Sequence, residues 1–348
     1  SQMLRLSAKS KLLSNELRNR PQLIFQRYAL RRLLHYVAYA ENTKQWFRNF
    51  ALHHRLEPAN CLFYTYWLDS ITTGLELMKQ KPDEMRIISR AHGIDLYEER
   101  SSPAYIPCRE WTLKRLDRLF TISDHGRHYI ETKYPWVSGR CETARLGIHD
   151  PGASAAGRSD GIFRIASCAL IRPVKRLGLL LEGLVEAARR RPDQTFEWHH
   201  LGGGAMLLEL QRQAKAYSVS NIQYHFHGHL PHEEVLAFYR DNPVDIFINT
   251  SQSEGIPVSI MEAQSYGIPC VAPCVGGIPE IVTPDNGYLL NANPSPSDIA
   301  DAVEQLIDCP GCLKKKGLAS RENWHRYYNA RNNYREFSRK LEAVLSQD

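Results

Sequence analysis

The stretch Asp245–Leu290, DIFINTSQSEGIPVSIMEAQSYGIPCVAPCVGGIPEIVTPDNGYLL, decides how this chain of 348 residues is read. Asp245–Thr250 alternates apolar β-formers and Ser251–Gly255 is turn chemistry. Ile256–Tyr266 then carries apolar residues at helical spacing until Gly267-Ile268-Pro269 stops it. Pro257 suits the first helical turn, where its missing N–H is not needed, so the other N–H groups of that turn point into the loop. A helix start beyond the carboxyl end of a parallel strand is an anion site, which makes Gly255, Ile256, Pro257 and Val258 candidate ligand contacts. Glu254 lies in the loop and Glu262 follows within the helix, about two turns away. Two acids beside a phosphate-binding helix start would repel a diphosphate unless they reach something else, and sugar hydroxyls are the obvious partners. A capping Glu254 and a solvated Glu262 are the alternative.

A second strand, Cys270–Ala272, leads into Gly276-Gly277, where adjacent glycines let the backbone approach a ligand closely. The run S-E-G-I-P-x-S-x-x-E-A-x-x-x-G-I-P, followed by V-G-G-I-P-E-I-V and N-G-Y-L-L, closely resembles the donor-binding signature of retaining glycosyltransferases of family 4. That resemblance implies an α/β protein with the GT-B fold, two Rossmann-like doubly wound domains facing a central cleft. It also implies that Glu262 holds the ribose hydroxyls and Glu254 the donor sugar.

Composition sets the outer bounds. Hydrophobic residues make up 43% and charged residues 24%, as in an ordinary globular protein, and the length suffices for two domains with cores. No run approaches the roughly 18 apolar residues that span a bilayer, and no secretory signal pattern opens the chain, so a cytoplasmic enzyme is expected. Cys61, Cys108, Cys141 and Cys168 are scattered singly, and Cys309-Pro-Gly-Cys312 lacks a second ligand pair, so reduced thiols are expected. Net charge is +6, and Ser1–Arg55 carries eleven Lys or Arg against Glu16 and Glu41, interleaved with aromatic residues. Such a surface either lies on anionic lipid or is a solvated helix face, and both readings stay open. Nucleic acid is not expected, because no nucleic-acid motif accompanies the charge.

Taken in order, residues 1 to about 57 read as helical throughout, without the opening strand and glycine-rich turn of a doubly wound domain. Two explanations stand: the chain starts inside the natural protein, Ser1-Gln2 then being a cloning remnant, or segments are omitted. Strands are expected at Cys61–Trp67, Arg86–Ser89 and Leu119–Ile122, and helices at about Asp69–Lys79 and Glu110–Leu116. The strand at Arg86–Ser89 delivers R-A-H-G-I-D-L-Y into a loop. This resembles the family segment whose histidine faces the transferring sugar, which makes His92 a catalytic candidate with Gly93 and Asp95 beside it on the acceptor side. Ser123 opens a loop resembling the family's S-x-x-G, where a contact to acceptor or donor is implied. The first domain is placed at 1–150, a flexible linker at 151–161, the nucleotide-sugar domain at 162–322, and a returning helix at 323–348.

In the second domain, Arg172, Lys175 and Arg176 crowd a strand-to-helix junction, as diphosphate recognition requires. Lys175 matches the family's phosphate-gripping lysine, but Leu170 stands where the family arginine is expected, leaving Arg172 or Arg176 to cover it. The strand Ile222–Phe226 exits into His227-Gly228-His229-Leu230, where the family holds the nucleobase, so His229 and Leu230 join the donor site. The nearby His225, His227, His229 and His232 suggest a metal site. However, strand alternation sends His225 and its neighbours to different faces and no carboxylate–His spacing repeats, so no metal is expected there. No D-x-D occurs, so no metal clamp on the diphosphate is expected either, and no cofactor beyond a UDP- or GDP-sugar donor. The expected reaction is transfer of a hexosyl group, with retention, from a nucleotide diphosphate sugar to a glycan or lipid-linked glycan in bacterial surface polysaccharide synthesis. Its place is cytoplasmic or peripheral at the inner membrane face. The alternatives are a GT-B sugar-nucleotide epimerase and a catalytically silent GT-B membrane adaptor.

Overall fold

The computed structural model describes residues 10–81, 85–153 and 160–346. The expectations for Ser1-Gln2 and for most of the 151–161 linker fall outside them. Contacts divide the chain into a first unit, residues 1–144 with 336–348, and a second unit, residues 145–335.

The first unit opens with α1 (Lys11–Asn19) and α2 (Arg27–His53), joined by a 3-10 turn at Pro21–Phe25. The expected continuous helix is therefore broken. Pro21 has no N–H to continue the ladder, and Arg20 and Gln26 leave the helical region with ψ of 65° and 83°. Behind them β1 (Leu62–Thr65), β2 (Arg86–Ala91), β3 (Arg118–Thr121) and β4 (Cys141–Thr143) form a parallel sheet in chain order. The crossovers carry α3 (Ser70–Glu76), α4 (Arg109–Arg115) and α5 (Asp124–Lys133). The central strand β2 is apolar on both faces, as parallel strands covered on both sides are. Ile87 packs with Leu75, Leu113 and Ile130, whereas Ile88 packs with Phe120 and with Phe337 and Val344 of the chain's last helix. Arg90, also buried, stacks its guanidinium 3.9 Å from the centre of the Phe337 ring.

The second unit runs β5 (Ile162–Cys168), α6 (Leu177–Arg190), β6 (Thr195–Leu201), α7 (Leu207–Ala216), β7 (Ile222–Phe226), α8 (His232–Asp241) and β8 (Ile246–Ile248). It continues with α9 (Val258–Ser265), β9 (Cys270–Pro273), α10 (Ile278–Ile281), β10 (Gly287–Leu290), α11 (Pro296–Ile307), α12 (Pro310–Tyr327) and α13 (Ala330–Leu345), whose residues from Glu336 belong to the first unit. All six strands are parallel, in the order β10-β9-β8-β5-β6-β7. The chain thus builds outward from β5 through β6 and β7, then returns to place β8 on the other side of β5. That reversal opens a crevice beyond the carboxyl ends of β5 and β8, where ligands of doubly wound sheets bind.

Helix α6 shows why the pattern folds this way. Leu177, Leu180, Leu181, Leu184, Val185 and Ala188 repeat at helical spacing on its buried face, and Arg189 and Arg190 complement its carboxyl end. Its neighbour α11 starts from a capping box in which Ser295 and Asp298 serve each other's backbone N–H groups. The helix expected over Asn323–Leu345 is instead the end of α12 followed by α13, divided at Tyr328-Asn329. There Asn329 bridges to Ile148, and the Ala330 N–H donates to the Ile148 carbonyl at 3.0 Å, so the backbone at the junction is committed to a ladder rather than a helix. Cys309 and Cys312 are joined in a disulfide where reduced thiols were expected. Cys309 caps α12 and Cys312 lies one turn on, which puts the two sulfurs on the same face.

Glu76, at the end of α3, is fully buried, with its carboxylate 3.3 Å from the Lys79 ammonium. Burial pushes its carboxyl up to about 7, against the opposing pull of Lys79. The folded chain therefore binds a proton here that the unfolded chain has already released above its lower carboxyl pKa. This contribution is full below about pH 4.5 and is lost as the pH rises through 7. Urea unfolding followed by tryptophan fluorescence should show stability declining less over that interval in Glu76→Gln than in the parent chain. Equal slopes would contradict the assignment.

Candidate active site

The site at the reversal of strand order is built from three loops. After β5 the chain makes a short 3-10 turn, Pro173–Lys175, and Arg176 enters α6 from the left-handed region. After β8 comes Asn249–Pro257, and after β9 comes Cys274–Gly277. One backbone and one side-chain hydrogen bond fasten the first two together: the Gln252 N–H donates to the Val174 carbonyl at 2.8 Å, and the Thr250 hydroxyl donates to the Lys175 carbonyl at 2.9 Å.

Lys175 leaves this seam with its ammonium 2.5 Å from a carboxylate oxygen of Glu254, and both side chains are partly exposed. The two residues come from opposite sides of the reversal, so the pair exists only because β5 and β8 are neighbours. Arg172 is exposed, its carbonyl accepting from the Lys175 N–H at 2.9 Å, and among the described residues its guanidinium has no hydrogen-bond partner, leaving it open to a ligand. Arg176 differs, because its Nε donates to the Thr250 carbonyl at 2.7 Å and its Nη2 to the Ser251 carbonyl at 3.1 Å. It is a structural strap, and of the two arginines expected to replace the missing one only Arg172 is available.

Helix α9 begins at Val258, two residues later than the expected start at Ile256. Pro257 is the capping residue rather than a member of the first turn, and no side chain caps the N–H groups that follow. Gly255, Ile256 and Pro257 are buried while Val258 is exposed at this end. Glu262, one turn into α9, is buried at 5% exposure rather than solvated, and burial raises its carboxyl above the ordinary range. Opposing that shift, the Nδ1 of His232 at the start of α8 lies 3.2 Å from a Glu262 oxygen. His232 as a partner of Glu262 was not foreseen, since only the packing of α8 beside α9 brings the two together.

The glycines Gly276 and Gly277 press on this loop. The Gly277 N–H donates to the Gly255 carbonyl at 2.8 Å, and a Cβ at Gly276 would stand 1.8 Å from the Glu254 carbonyl oxygen. With φ at +55°, Gly276 adopts a conformation that other residues rarely take. The β7 exit places His229 at the surface with Leu230 half-buried, and Gly228 bridges to Gly202.

In the first unit, His92 and Gly93 follow β2 directly. Both backbone N–H groups donate to one oxygen of Asp95 at 2.9 Å, and Leu68 donates to the other at 3.0 Å. Burial would raise the Asp95 carboxyl, but these bonds and the His92 side chain hold it below the ordinary range. The His92 ring lies between Tyr66 and Trp67, with centroids 4.4 and 4.2 Å away. Asp95 is thus the organiser of the loop that presents His92. Ser123, expected at a ligand contact, is buried and caps α5 by accepting from the Gly126 N–H at 2.9 Å, so its oxygen serves the helix start.

The histidines of β6 and β7 are arranged differently from expectation. Adjacent strand residues do alternate, but His199 and His225 are register partners across the two strands, and Glu197 and His227 lie two residues along on the same face. Glu197, His199 and His225 come together closely enough to hold a metal ion. Burial first, then His225, brings the His199 imidazole down to about 4, with Glu197 opposing.

Comparison with known proteins agrees with this geometry. Residues 162–331, nearly all of the second unit, match the family described as glycosyl transferases group 1. The putative colanic acid biosynthesis glycosyltransferase WcaL of Escherichia coli K12 is 26% identical over 273 residues, covering 74% of this chain and 64% of that protein. The lipopolysaccharide 1,6-galactosyltransferase of the same strain is 32% identical over 134 residues, 38% of this chain and 34% of that protein. Across its curated relatives the chain spans 28–64% of their lengths. The crystal structure of Anabaena HepE in complex with UDP has a TM-score of 0.67 at 15% identity, covering 88% of this chain and 82% of that one. Such a likeness shows the fold, which is GT-B.

Replacing Gly276 with alanine should force the Glu254 carbonyl out of place. Gly152→Ala supplies the control, since it too has a positive φ of +68° but no atom within 4 Å of its Cβ. The first substitution is expected to cost about 1–3 kcal/mol more than the second, a difference of several degrees in Tm by thermal unfolding. Equal melting temperatures would show that the two loops are not in contact.

Proposed function

We propose, from the match of residues 162–331 to the glycosyl transferases group 1 family and the GT-B fold of the chain, that this protein transfers a hexosyl group from a nucleotide diphosphate sugar. The acceptor is a glycan or a lipid-linked glycan, and the process is bacterial surface polysaccharide synthesis. The observation that carries the reading is the Lys175–Glu254 pair at the strand-order reversal, beside the uncapped start of α9.

The pair removes the electrostatic objection to acids beside a phosphate site. In the absence of donor each charge neutralises the other. When a diphosphate arrives, its oxygens compete for Lys175, and Arg172 adds a fork-shaped donor suited to phosphate. Glu254 is then released to accept hydrogen bonds from hydroxyls of the donor sugar. Negative charge grows on the leaving diphosphate as the glycosidic bond breaks, and fixed cations with the N–H groups of α9 stabilise it most in the transition state. These groups take the part of a metal clamp, so the proposed transfer is metal-independent. Glu262, buried and facing His232, is suited to accept from ribose hydroxyls, with His229 and Leu230 at the base. In the first unit His92, Gly93 and Asp95 are assigned to the acceptor side. Retention at the anomeric carbon rests on the family resemblance.

The first unit also has a surface suited to a membrane. Phe25 is 89% exposed and Tyr28 78%, with the exposed Arg27 and Arg31 between and beyond them. Exposed apolar and aromatic side chains beside arginines match an anionic interface, where each basic residue adds about 1 kcal/mol. This surface supports peripheral attachment at the inner face of the cell membrane, where a lipid-linked acceptor would be met.

Calorimetry without added metal, using UDP, GDP, ADP and their hexose conjugates, tests the donor site. One nucleotide is expected to bind at micromolar strength, and Glu262→Ala to bind it at least tenfold more weakly, about 1.4 kcal/mol. Absence of binding by every member of the panel would remove the enzymatic reading. Separately, the chain should sediment with anionic liposomes and much less with neutral ones, and Phe25→Ser with Arg27→Gln should reduce this. Failure of the parent chain to sediment would count against the membrane assignment alone.

A further inference from the structure

The face of the sheet formed by β6 and β7 carries a cluster that the transfer reaction does not use. We propose that Glu197, His199 and His225 form a binding site for a divalent transition metal of the zinc class, with His227 orienting His199 from behind.

The geometry begins with strand register. His199 and His225 are paired residues on adjacent parallel strands, so their side chains leave the same face, and Glu197 leaves it two residues earlier on β6. The two imidazole rings stack with nearly parallel planes, at a centroid distance of 4.5 Å and an interplanar angle of 11°. One ligand atom from each of the three residues lies within 4.8 Å of the other two. Nε2 of His199 is already 3.5 Å from the Glu197 carboxylate. Ligand atoms of a tetrahedral zinc site are about 3.4 Å apart, given zinc–nitrogen distances of about 2.0–2.1 Å, so side-chain shifts of about 1 Å would bring the three ligands to that spacing and leave the fourth position to water.

Two further observations separate this cluster from a chance gathering of side chains. Nε2 of His225 is buried and has no hydrogen-bond partner among the described residues, and a buried ring nitrogen left unpaired is costly unless something occupies it. The outer shell is also in place. Nδ1 of His199 lies 3.2 Å from Nε2 of His227, a hydrogen bond that would fix which nitrogen of His199 faces the metal. Arg164 donates from Nε to Glu197 at 2.8 Å and holds that carboxylate still, while Asp160 accepts from both Arg164 terminal nitrogens and offsets its charge. Two imidazoles and one carboxylate suit zinc, or cobalt, nickel or copper, far better than magnesium or calcium, which take oxygen ligands. The metal would cross-link the edge strand β7 to β6, immediately before β7 runs into His227-Gly228-His229.

The test uses the untagged full chain stripped with a chelator and titrated with Zn2+ alone. One Zn2+ per chain is expected, with a higher Tm in its presence. Zinc X-ray absorption should show nitrogen and oxygen neighbours, with the scattering pattern of two imidazoles. His225→Gln and Glu197→Gln should each weaken binding at least tenfold with an unchanged circular dichroism spectrum. His53→Gln, which alters the separate histidine pair at the end of α2, should leave binding unchanged. No binding at 100-fold excess Zn2+, sulfur in the first shell, or unchanged affinity in a folded His225→Gln chain would each overturn the proposal. If the variants fail to fold, the absorption spectrum of the parent chain decides. Nucleotide binding is measured independently, so this proposal and the donor-site reading can fail separately.

Discussion

The ion pair between Lys175 and Glu254 depends on the order of strands and on little else. Lys175 follows β5 and Glu254 follows β8, and the two meet because the second sheet reverses direction between those strands. A sheet that simply added strands in chain order would put β6 and β7 between them. The contact at 2.5 Å is held from below by hydrogen bonds, through Gln252 to Val174 and Thr250 to Lys175, so the charges sit on a rigid seam rather than on free loops. Arg176 strengthens the same seam by spending its donors on the carbonyls of Thr250 and Ser251. A cation that would be available to a phosphate has instead become part of the frame. This is consistent with the demand of catalysis for charged groups positioned before the reaction starts.

Burial sorts the two acids of the site into different kinds of group. Glu254 is partly exposed and paired with Lys175, whereas Glu262 is almost fully buried with the His232 imidazole 3.2 Å from its carboxylate. A buried carboxylate pays for desolvation unless something donates to it, and the raised pKa of Glu262 expresses that cost. Hydroxyl donors placed against it would offset that cost. Pressure from Gly276 and Gly277 on Glu254 and Gly255 keeps the α9 entrance in the same narrow geometry, because neither glycine leaves space for a side chain.

Much of this was legible in the amino-acid order because it is local. Turn residues at Ser251–Gly255, apolar spacing through α6, and the glycine pair each announce themselves within a few positions. Lys175 and Glu254 were named for the same reason, through motifs that lie in single loops. What could not be read depends on register or on neighbours distant in sequence. The break between α1 and α2 falls at Pro21, a local signal that the reading of residues 1 to about 57 as one helical run did not use. The loss of Ser123 to a helix cap, and of Arg176 to carbonyls of the next loop, follows from contacts that local pattern does not specify.

The histidines of β6 and β7 show that limit most clearly. Adjacent residues of a strand point to opposite faces, and applied to His225 and its immediate neighbours that rule correctly separates them. The relevant spacing is two, and the relevant partner lies on another strand: Glu197-x-His199 on β6 and His225-x-His227 on β7 repeat the same interval. Nothing in either segment alone fixes which residues face each other, because a shift of one residue in register would send His225 to the opposite face. The register is set elsewhere, by Phe196 and Trp198 packing with Ile222 on the buried side of the same strands. The apolar face of the pair therefore determines the chemistry of its polar face, and a metal-binding arrangement can arise from residues whose spacing, taken strand by strand, carries no ligand signature.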